Sequence, residues 1–196
     1  MDNLANFLLF IGNAWLIAPV LILFTYFTWD NRAIPINLVG ICIFTIIYNI
    51  FLKELFGIPL KEPLVGFALP SGHMHFALVF YLHIALFFRK NIWTPAIFMS
   101  LIVGLSFALL AKGYHNIIDL FAAIFFGFIT LTIFARVRLF IFSLIGLFLS
   151  FFIKPNMFLL SSSLIMLGVW DCILSKKSKE GCKLSLIFLG KNRYNL

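Results

Sequence analysis

Two short motifs carry the residues of this sequence that are best suited to catalysis. Pro70-Ser71-Gly72-His73 begins one apolar segment, and His115-Asn116-Ile117-Ile118-Asp119 begins another. A Pro-Ser-Gly turn that leads into a helix presents free backbone N–H groups at the positive end of the helix dipole, where anions bind. A histidine four residues before an aspartate shares its helical face, so the carboxylate can orient the imidazole. The motifs predict a phosphate seat with a proton donor, beside a nucleophile or base.

Each motif also has a purely structural interpretation. His115 and Asp119 could form a helix-capping pair at a membrane interface, and Ser71 could be an ordinary N-cap with Gly72 in the first turn. Their common position, with lysines nearby, favours a functional site over two independent helix starts. Asp119 supports this interpretation, because an acid a full turn inside an apolar span is costly and usually faces a protein interior where it has a function.

The composition of the chain indicates an integral membrane protein. Of its 196 residues, 63% are hydrophobic and 11% are charged, and the mean hydropathy is +1.08. A soluble domain is only about half apolar. Most apolar stretches approach the roughly 20 residues that a helix needs to cross a bilayer. We therefore predict an all-α, polytopic membrane helical bundle.

The hydropathy pattern predicts about seven spans, at residues 4–29, 34–52, 71–88, 93–111, 115–135, 139–153 and 157–174. The segment 139–174 allows two interpretations, either two spans or a partly re-entrant hairpin broken at Lys154-Pro155-Asn156, so six spans are possible. Residues 53–70 form the only long link, and their Gly, Pro and apolar content is typical of a loop on the membrane surface. We expect a membrane domain over residues 1–175 and a basic tail over 176–196.

The basic residues predict the orientation of these spans. If successive links alternate sides, 11 of the 15 lysines and arginines fall on one face, which the positive-inside rule assigns to the cytoplasm together with the tail. The other face keeps Lys53, Lys61, Lys112 and Lys154, three of which flank the two histidine motifs. The motifs are therefore predicted on the extracytoplasmic face. This topology also explains the net charge of +8, so no nucleic acid partner is expected.

Two further histidines lie outside the motifs. His75 points roughly 200° away from His73 around a helix, so we expect it to interact with a neighbouring helix or with lipid headgroups. His83 lies in the middle of a span, where we expect a structural role with hydrogen bonds inside the bundle.

The motifs resemble those of the type 2 phosphatidic acid phosphatases, a family related to other lipid phosphatases and to vanadium haloperoxidases. Its signatures are Lys-x6-Arg-Pro, Pro-Ser-Gly-His and Ser-Arg-x5-His-x3-Asp. Residues 70–73 match the second signature completely, and His115 with Asp119 matches the end of the third. The order and placement of the motifs, at the ends of consecutive spans on one face, match as well. The resemblance covers about residues 53–119 in its motifs and 34–135 as a helical core.

The chain departs from this pattern at both signature arginines. When Lys53 begins the first signature, the Arg-Pro and Ser-Arg positions are occupied by Leu60, Lys61, Ala108 and Leu109. The planar guanidinium groups that hold phosphate oxygens in pairs are therefore missing. Lys61 and Lys112 are candidates to replace them as point charges, and Lys112 shares a face with His115 if the helix begins early enough.

The resemblance implies a membrane phosphatase that requires no metal and no cofactor. His115 would attack phosphorus to give a phosphohistidine, with Asp119 orienting the ring, and His73 would protonate the leaving oxygen and then activate water. The phosphoryl oxygens would be bound by Lys53, Ser71, Gly72, Lys112 and Lys61. The substrate would be a lipid monophosphate or diphosphate at the outer face of a bacterial inner membrane. Candidates are phosphatidylglycerophosphate, undecaprenyl diphosphate, phosphatidate and lipid A phosphate.

Other functions remain open on the sequence alone. A degenerate relative could bind a lipid phosphate without hydrolysing it, which the missing arginines favour. The phosphohistidine could also pass its phosphate to an acceptor hydroxyl instead of water. A small transporter or channel fits the span count and the intramembrane His83, although the spans show no pair of Gly/Pro-broken half-helices at mid-depth. The partners expected are membrane lipids and the lipid phosphate, and the oligomeric state is not predicted.

Overall fold

The computed structural model describes residues 2–12, 14–28, 33–60, 65–88, 93–153 and 157–177. Within these ranges the regular structure is helical, apart from an isolated bridge between Pro59 and Phe67. The helices are α1 (Asp2–Ile11), α2 (Ala14–Phe27), α3 (Ala33–Phe56), α4 (Gly72–Phe87), α5 (Trp93–Ala111), α6 (Ile117–Arg136), α7 (Leu139–Ser150) and α8 (Met157–Lys177). The predicted all-α class is confirmed.

Three stretches of helix among the described residues are long and apolar enough to cross a membrane, namely Ile34–Phe56, Trp93–Ala111 and Ile117–Arg136. Shorter apolar helices cover Gly72–Phe87, Leu139–Ser150 and Leu159–Ile173. Many large hydrophobic side chains are exposed on the outside of the bundle, as on Phe107, Phe121 and Phe125. These features support a membrane protein, whereas the total of seven spans stays a prediction.

The predicted first span, 4–29, is wrong as a single helix. Helix α1 ends at Ile11 and α2 begins at Ala14, and the sequence between them is Gly12-Asn13, a pair of weak helix formers. Gly12 also packs tightly against α5, where a Cβ added to it would lie 2.9 Å from Leu105 Cδ2. Because α1 packs on α5 and α2 packs on α3, the two halves of this segment contact different helices.

The helices from α3 to α8 alternate in direction around a central α3, which contacts α4, α7 and α8. The antiparallel pairs are shown by contacts between Asn49 and His75, Met74 and Ser106, Tyr81 and Phe98, and Ser150 and Ser161. Helices α4 and α6 run parallel, with Ser71 beside Asp119 at one end and His83 beside Phe134 at the other. The ends of α3 and α5 and the starts of α4 and α6 therefore meet at one end of the bundle, called here the site end.

Helices α7 and α8 form an antiparallel pair packed on α3. Ser150 Oγ lies 3.2 Å from Ser161 Oγ, and a Cβ added to Gly146 would lie 2.8 Å from Leu164 Cδ2. Helix α7 has 12 residues and is therefore about 18 Å long, which is shorter than the hydrocarbon core of a bilayer. The predicted break at residues 154–156 lies outside the described residues.

In the link between α3 and α4, the described residues on either side of 61–64 pair with each other. The N–H of Leu60 donates to the carbonyl of Gly66 at 2.9 Å, and the N–H of Ala68 donates to the carbonyl of Ile58 at 2.7 Å. Ile58 and Val65 are exposed, whereas residues 68–70 are buried against the bundle. The loop thus presents apolar side chains outward while its end anchors the start of α4.

Candidate functional site

Glycine turns end two of the helices that meet at the site end. Gly57, with φ of 60°, follows α3, and Gly113, with φ of 67°, follows α5. The N–H of Gly57 donates to the carbonyl of Lys53 at 3.0 Å, and that of Gly113 donates to the carbonyl of Leu110 at 3.0 Å. Only glycine adopts this left-handed backbone without a steric cost. The turn at Gly57 ends α3 less than one helical turn after Lys53. The turn at Gly113 follows the end of α5, just before the segment that carries His115.

His115 precedes α6 and does not lie within it. Helix α6 begins at Ile117 with Asn116 as its N-cap, so the predicted helical face shared by His115 and Asp119 is wrong. A helical face shared by Lys112 and His115 is excluded for the same reason. The predicted pair nevertheless forms, because the chain before the cap folds back over the first turn and places His115 Nδ1 3.4 Å from Asp119 Oδ2.

Asp119 caps the helix and contacts the imidazole with the same oxygen. Its Oδ2 accepts the N–H of Asn116 at 2.9 Å, while its own N–H donates to Asn116 Oδ1 at 2.9 Å. This reciprocal pair is a capping box. The capping interpretation, which paired His115 with Asp119, is therefore wrong in its partner, because Asn116 forms the cap. The cap does not compete with orientation of His115, which contacts the same carboxylate. The carboxylate, in a residue only 3% exposed, is held rigidly towards the ring.

A backbone hydrogen bond joins the two motifs. The N–H of Ser71 donates to the carbonyl of Asp119 at 3.2 Å, which holds the start of α4 against the first turn of α6. Ser71 is the N-cap of α4, as predicted, but its side chain makes no capping hydrogen bond. Its Oγ is buried and has no hydrogen-bond partner among the described residues. An unpaired buried hydroxyl costs about 1–3 kcal/mol, and an oxygen of a bound ligand would supply the missing partner.

Lys53, in the last turn of α3, faces the same helix start. A Cβ added to Gly72 would lie 3.9 Å from Lys53 Nζ and 3.2 Å from Asn49 Oδ1. The ammonium group and the N-terminal end of the α4 dipole thus meet near Gly72, which is an arrangement that binds a phosphate group. His73, the next residue, is exposed and can reach a substrate at this position.

The charged and titratable side chains of the site act on one another. Burial lowers the pKa of His115 below its ordinary value of 6.5, the charge and hydrogen bond of Asp119 oppose this shift, and Lys53 and His73 lower the pKa further. His115 is therefore mainly neutral at pH 7, the form in which an imidazole nitrogen is a nucleophile. The four predicted side chains therefore form one electrostatic cluster, which consists of Lys53, His73, His115 and Asp119.

The other predicted phosphate ligands are placed less directly. Lys112 is half-buried in the turn that follows α5, three residues before His115, and its N–H donates to the carbonyl of Ala108 at 3.1 Å. Lys61 lies outside the described residues. Ala108 and Leu109, at the Ser-Arg position of the third signature, are 3% and 0% exposed. This part of α5 therefore packs in the core and supplies no cation.

The two histidines outside the motifs are buried in the bundle. His75 makes hydrogen bonds with Asn49 of α3 and Thr130 of α6, which confirms the predicted interaction with neighbouring helices. His83 packs its ring against Phe134, with 5.7 Å between centroids. Its Nδ1, however, has no hydrogen-bond partner among the described residues, so the predicted hydrogen bond is not found at this atom.

Asn49 is a residue of the site that neither motif indicates. Its one signal in the sequence is a carboxamide in an apolar segment, four residues before Lys53. The register of α3 against α4 brings it to Gly72, and this register has no local sequence pattern.

The cluster combines an oriented neutral imidazole, a second histidine, a lysine and an anion seat at a helix start. Such a set can transfer a phosphoryl group through nitrogen. No group of three or more His, Cys, Asp or Glu side chains arranged to hold a metal ion occurs in the part of the chain that the structure describes. Comparisons with models of protein families, with curated proteins and with solved structures find no match to this chain.

Proposed function

We propose that this chain is a membrane lipid phosphatase, which hydrolyses a phosphomonoester or diphosphate of a lipid through a phosphohistidine intermediate. The observation that carries the proposal is the hydrogen bond from Ser71 N–H to the Asp119 carbonyl, because it holds an anion seat beside an imidazole–carboxylate pair. A lipid substrate is favoured by the exposed apolar side chains around the site end, which include Leu55, Ile58, Val65, Ile117, Ile118 and Phe121.

His115 is the nucleophile in this reaction. The Nδ1–H of its ring donates a hydrogen bond to Asp119 Oδ2, which leaves the lone pair of Nε2 for in-line attack on phosphorus. As the Nε2–P bond forms, the P–O bond to the lipid breaks, and protonated His73 gives its proton to the leaving oxygen. Neutral His73 then takes a proton from the attacking water. The N–P bond breaks, its electron pair returns to Nε2, and phosphate leaves.

The phosphoryl oxygens are held by groups from α3 and α4. The ammonium group of Lys53 balances their negative charge, while the Ser71 hydroxyl and the first N–H groups of α4, beginning at Gly72, donate hydrogen bonds. Lys112 and Lys61 are proposed as further cations in place of the missing arginines. A lysine gives charge without the paired geometry of arginine, so the enzyme should tolerate several headgroup shapes.

The site end is proposed to face the outside of the cytoplasmic membrane. Among the described residues, Arg136 and Arg138 lie at the opposite end of the bundle, with the C-terminus of α8. A Tyr114→Cys variant, at an exposed position in the site-end loop, should react with a membrane-impermeant maleimide in intact cells. Labelling only after lysis would reverse the orientation.

Phosphate release by purified protein tests the function directly. Wild-type protein in detergent, with EDTA present, is given phosphatidate, phosphatidylglycerophosphate or undecaprenyl diphosphate in mixed micelles, and a water-soluble phosphomonoester for comparison. We expect faster release from at least one lipid than from the soluble ester. Binding of these lipids without release would favour the non-hydrolysing binder, and phosphate recovered on an added alcohol would identify a transferase.

The Ser71→Ala substitution is expected to change stability and activity in opposite directions. Because the hydroxyl is buried without a partner, its removal should leave the free energy of unfolding unchanged or raised. Because the same hydroxyl binds a phosphoryl oxygen, kcat/KM should fall by about 10-fold or more. Thermal unfolding and kcat/KM are measured on the same preparations.

Ser161→Ala is the matched control for Ser71→Ala. Ser161 is also completely buried, but its hydroxyl is paired with Ser150 at 3.2 Å. Loss of this pair should lower stability and leave kcat/KM unchanged. A parallel loss of stability and activity in Ser71→Ala would mean that its hydroxyl only supports the fold.

The acid limb of the profile of kcat/KM against pH is expected below pH 6.5. Burial lowers the pKa of His115, so the nucleophile becomes protonated only below the usual range of histidine. The unfolded chain binds this proton at higher pH than the folded chain does, so the contribution of His115 to the free energy of unfolding falls as the pH drops from 6.5 towards the lower folded pKa.

Two substitutions should move this limb in opposite directions. Asp119→Asn removes contributions that raise the pKa of His115 and should shift the limb to lower pH, whereas Lys53→Met removes one that lowers it and should shift the limb to higher pH. Profiles of kcat/KM for the two variants and wild type check both signs. An unmoved limb in both variants would assign it to a group other than His115.

A further inference from the structure

A buried series of hydrogen bonds runs beneath the site through three helices. Asn49 Nδ2 donates to His75 Nδ1 at 3.1 Å, His75 Nε2 donates to Thr130 Oγ1 at 3.4 Å, and the Thr130 hydroxyl donates to the carbonyl of Phe126 at 2.9 Å. Because the carboxamide nitrogen can only donate, Nδ1 of His75 must accept and Nε2 must carry the proton. The series therefore has a single direction and holds His75 as one neutral tautomer.

The environment of this series makes it rigid. His75 and Thr130 are 0% exposed and Asn49 is 7% exposed, and the ring of Tyr48 lies edge-on to the imidazole with 6.0 Å between centroids. In such a low-dielectric interior each hydrogen bond is strong, and breaking one leaves a costly unpaired group. Polar groups at this depth in a membrane bundle are expensive and usually serve a function.

One end of the series faces the phosphate seat. Asn49 lies one helical turn before Lys53, so the two side chains share a face of α3. With its nitrogen on His75, Asn49 directs Oδ1 towards Gly72, 3.2 Å from the position of an added Cβ, while Lys53 Nζ lies 3.9 Å from the same point. The carboxamide therefore fills the space between α3 and the first turn of α4, beside the group that balances the phosphoryl charge.

We propose that Asn49, held by His75 and Thr130, is a positioning residue that sets the distance between Lys53 and the N-terminus of α4. This role rests on the proposed function, because the two groups so aligned are those that hold the transferring phosphoryl group. Asn49 does not contact the reacting atoms. Without it, Lys53 and Gly72 lose their fixed separation, and a misplacement of about 1 Å costs on the order of 10²-fold in rate.

Asn49→Ala and Asn37→Ala form a matched pair for the first test. Asn37 is on the same helix, 3% exposed, and donates to Asp171 at 3.4 Å, but it lies twelve residues, or about 18 Å, from Asn49. We expect kcat to fall about 10- to 100-fold in Asn49→Ala, with KM changed less than about threefold. Asn37→Ala should keep the wild-type kcat even if its thermal stability falls as much.

His75 provides a second test, because its Nδ1 is the acceptor for the Asn49 nitrogen and can be replaced. His75→Asn retains an oxygen near the position of Nδ1, whereas His75→Leu fills the space with an apolar side chain. We expect His75→Asn to keep kcat within about threefold to fivefold of wild type and His75→Leu to resemble Asn49→Ala. His75→Leu also leaves the buried Asn49 nitrogen unpaired, so it should be less stable than His75→Asn. Asn37→Ala, which loses a buried hydrogen bond elsewhere on α3, is therefore the stability control. A fall in kcat of Asn37→Ala as large as that of His75→Leu would overturn the positioning role.

Binding of orthovanadate, which mimics a phosphoryl group in transfer, distinguishes failure of this role from failure of the proposed function. Wild-type protein that neither releases phosphate nor binds orthovanadate would overturn the function, and the role of Asn49 with it. Active wild type with an Asn49→Ala variant indistinguishable from Asn37→Ala would overturn the positioning role alone. Weaker orthovanadate binding in Asn49→Ala than in Asn37→Ala would support it.

Discussion

Replacement of His115 by alanine is expected to abolish phosphate release, with kcat lowered by roughly 10⁴-fold or more, as for other nucleophiles that act through a covalent intermediate. The substitution removes the Nε2 lone pair but leaves the capping box of Asn116 and Asp119, so the start of α6 should remain folded. Release of phosphate is one measurement. The second is trapping of phosphoprotein after rapid quenching, since a phosphohistidine is stable to base and labile to acid.

Tyr114→Ala is the matched control for this loop. Tyr114 is the neighbouring residue and is 40% exposed, so its loss should change kcat by less than about threefold. Wild-type activity in His115→Ala would eliminate the proposed mechanism. Trapped phosphate on His73 instead of His115 would exchange the roles of the two histidines.

Replacement of Lys53 by methionine is expected to lower kcat/KM by about 10²- to 10³-fold. Methionine keeps most of the apolar stem and removes only the charge that faces Gly72. Because a half-buried ammonium group is partly desolvated in the fold, its removal should cost little stability. The measurement is kcat/KM for the best lipid of the panel, with thermal unfolding on the same samples.

Lys112→Met and Lys61→Met, assayed in parallel, test the proposal that these lysines act in place of the two signature arginines that the sequence lacks. A loss of kcat/KM in either variant identifies the lysine that acts in place of a guanidinium group. Unchanged kcat/KM in Lys53→Met itself would leave the phosphate seat without its central cation and contradict the proposed site.

The sequence predicts the helical class and the common location of the two motifs, because both follow from the length and order of apolar segments. It fails where local backbone preference competes with hydropathy. The apolar run from Leu4 to Trp29 suggests one helix, yet α1 ends at Ile11, before Gly12, and α2 begins at Ala14. The start of α6 shows the same limit, since Asn116 and Asp119, three residues apart, already form the pattern of a capping box that excludes His115 from the helix.

Other parts of the site depend on distances that no local pattern contains. Asn49 meets His75 across 26 positions of sequence, and the contact exists only because α3 and α4 pack in one register. The unpaired hydroxyl of Ser71 also follows from packing, since serine before a helix normally caps it. The sequence therefore predicts the candidate reactive side chains, whereas the residues that pack around them are found only in the structure.

A single oxygen of Asp119 contacts both Asn116 and His115, so the proposed mechanism depends on the order of one helical turn. If that turn opens, the carboxylate loses its cap and the imidazole loses its orientation at the same moment. Local opening of a helix terminus costs far less than global unfolding. The protein can therefore be fully folded in its core while His115 is out of line with Asp119, so a substitution that stiffens the first turn of α6 is expected to raise the rate of the proposed reaction.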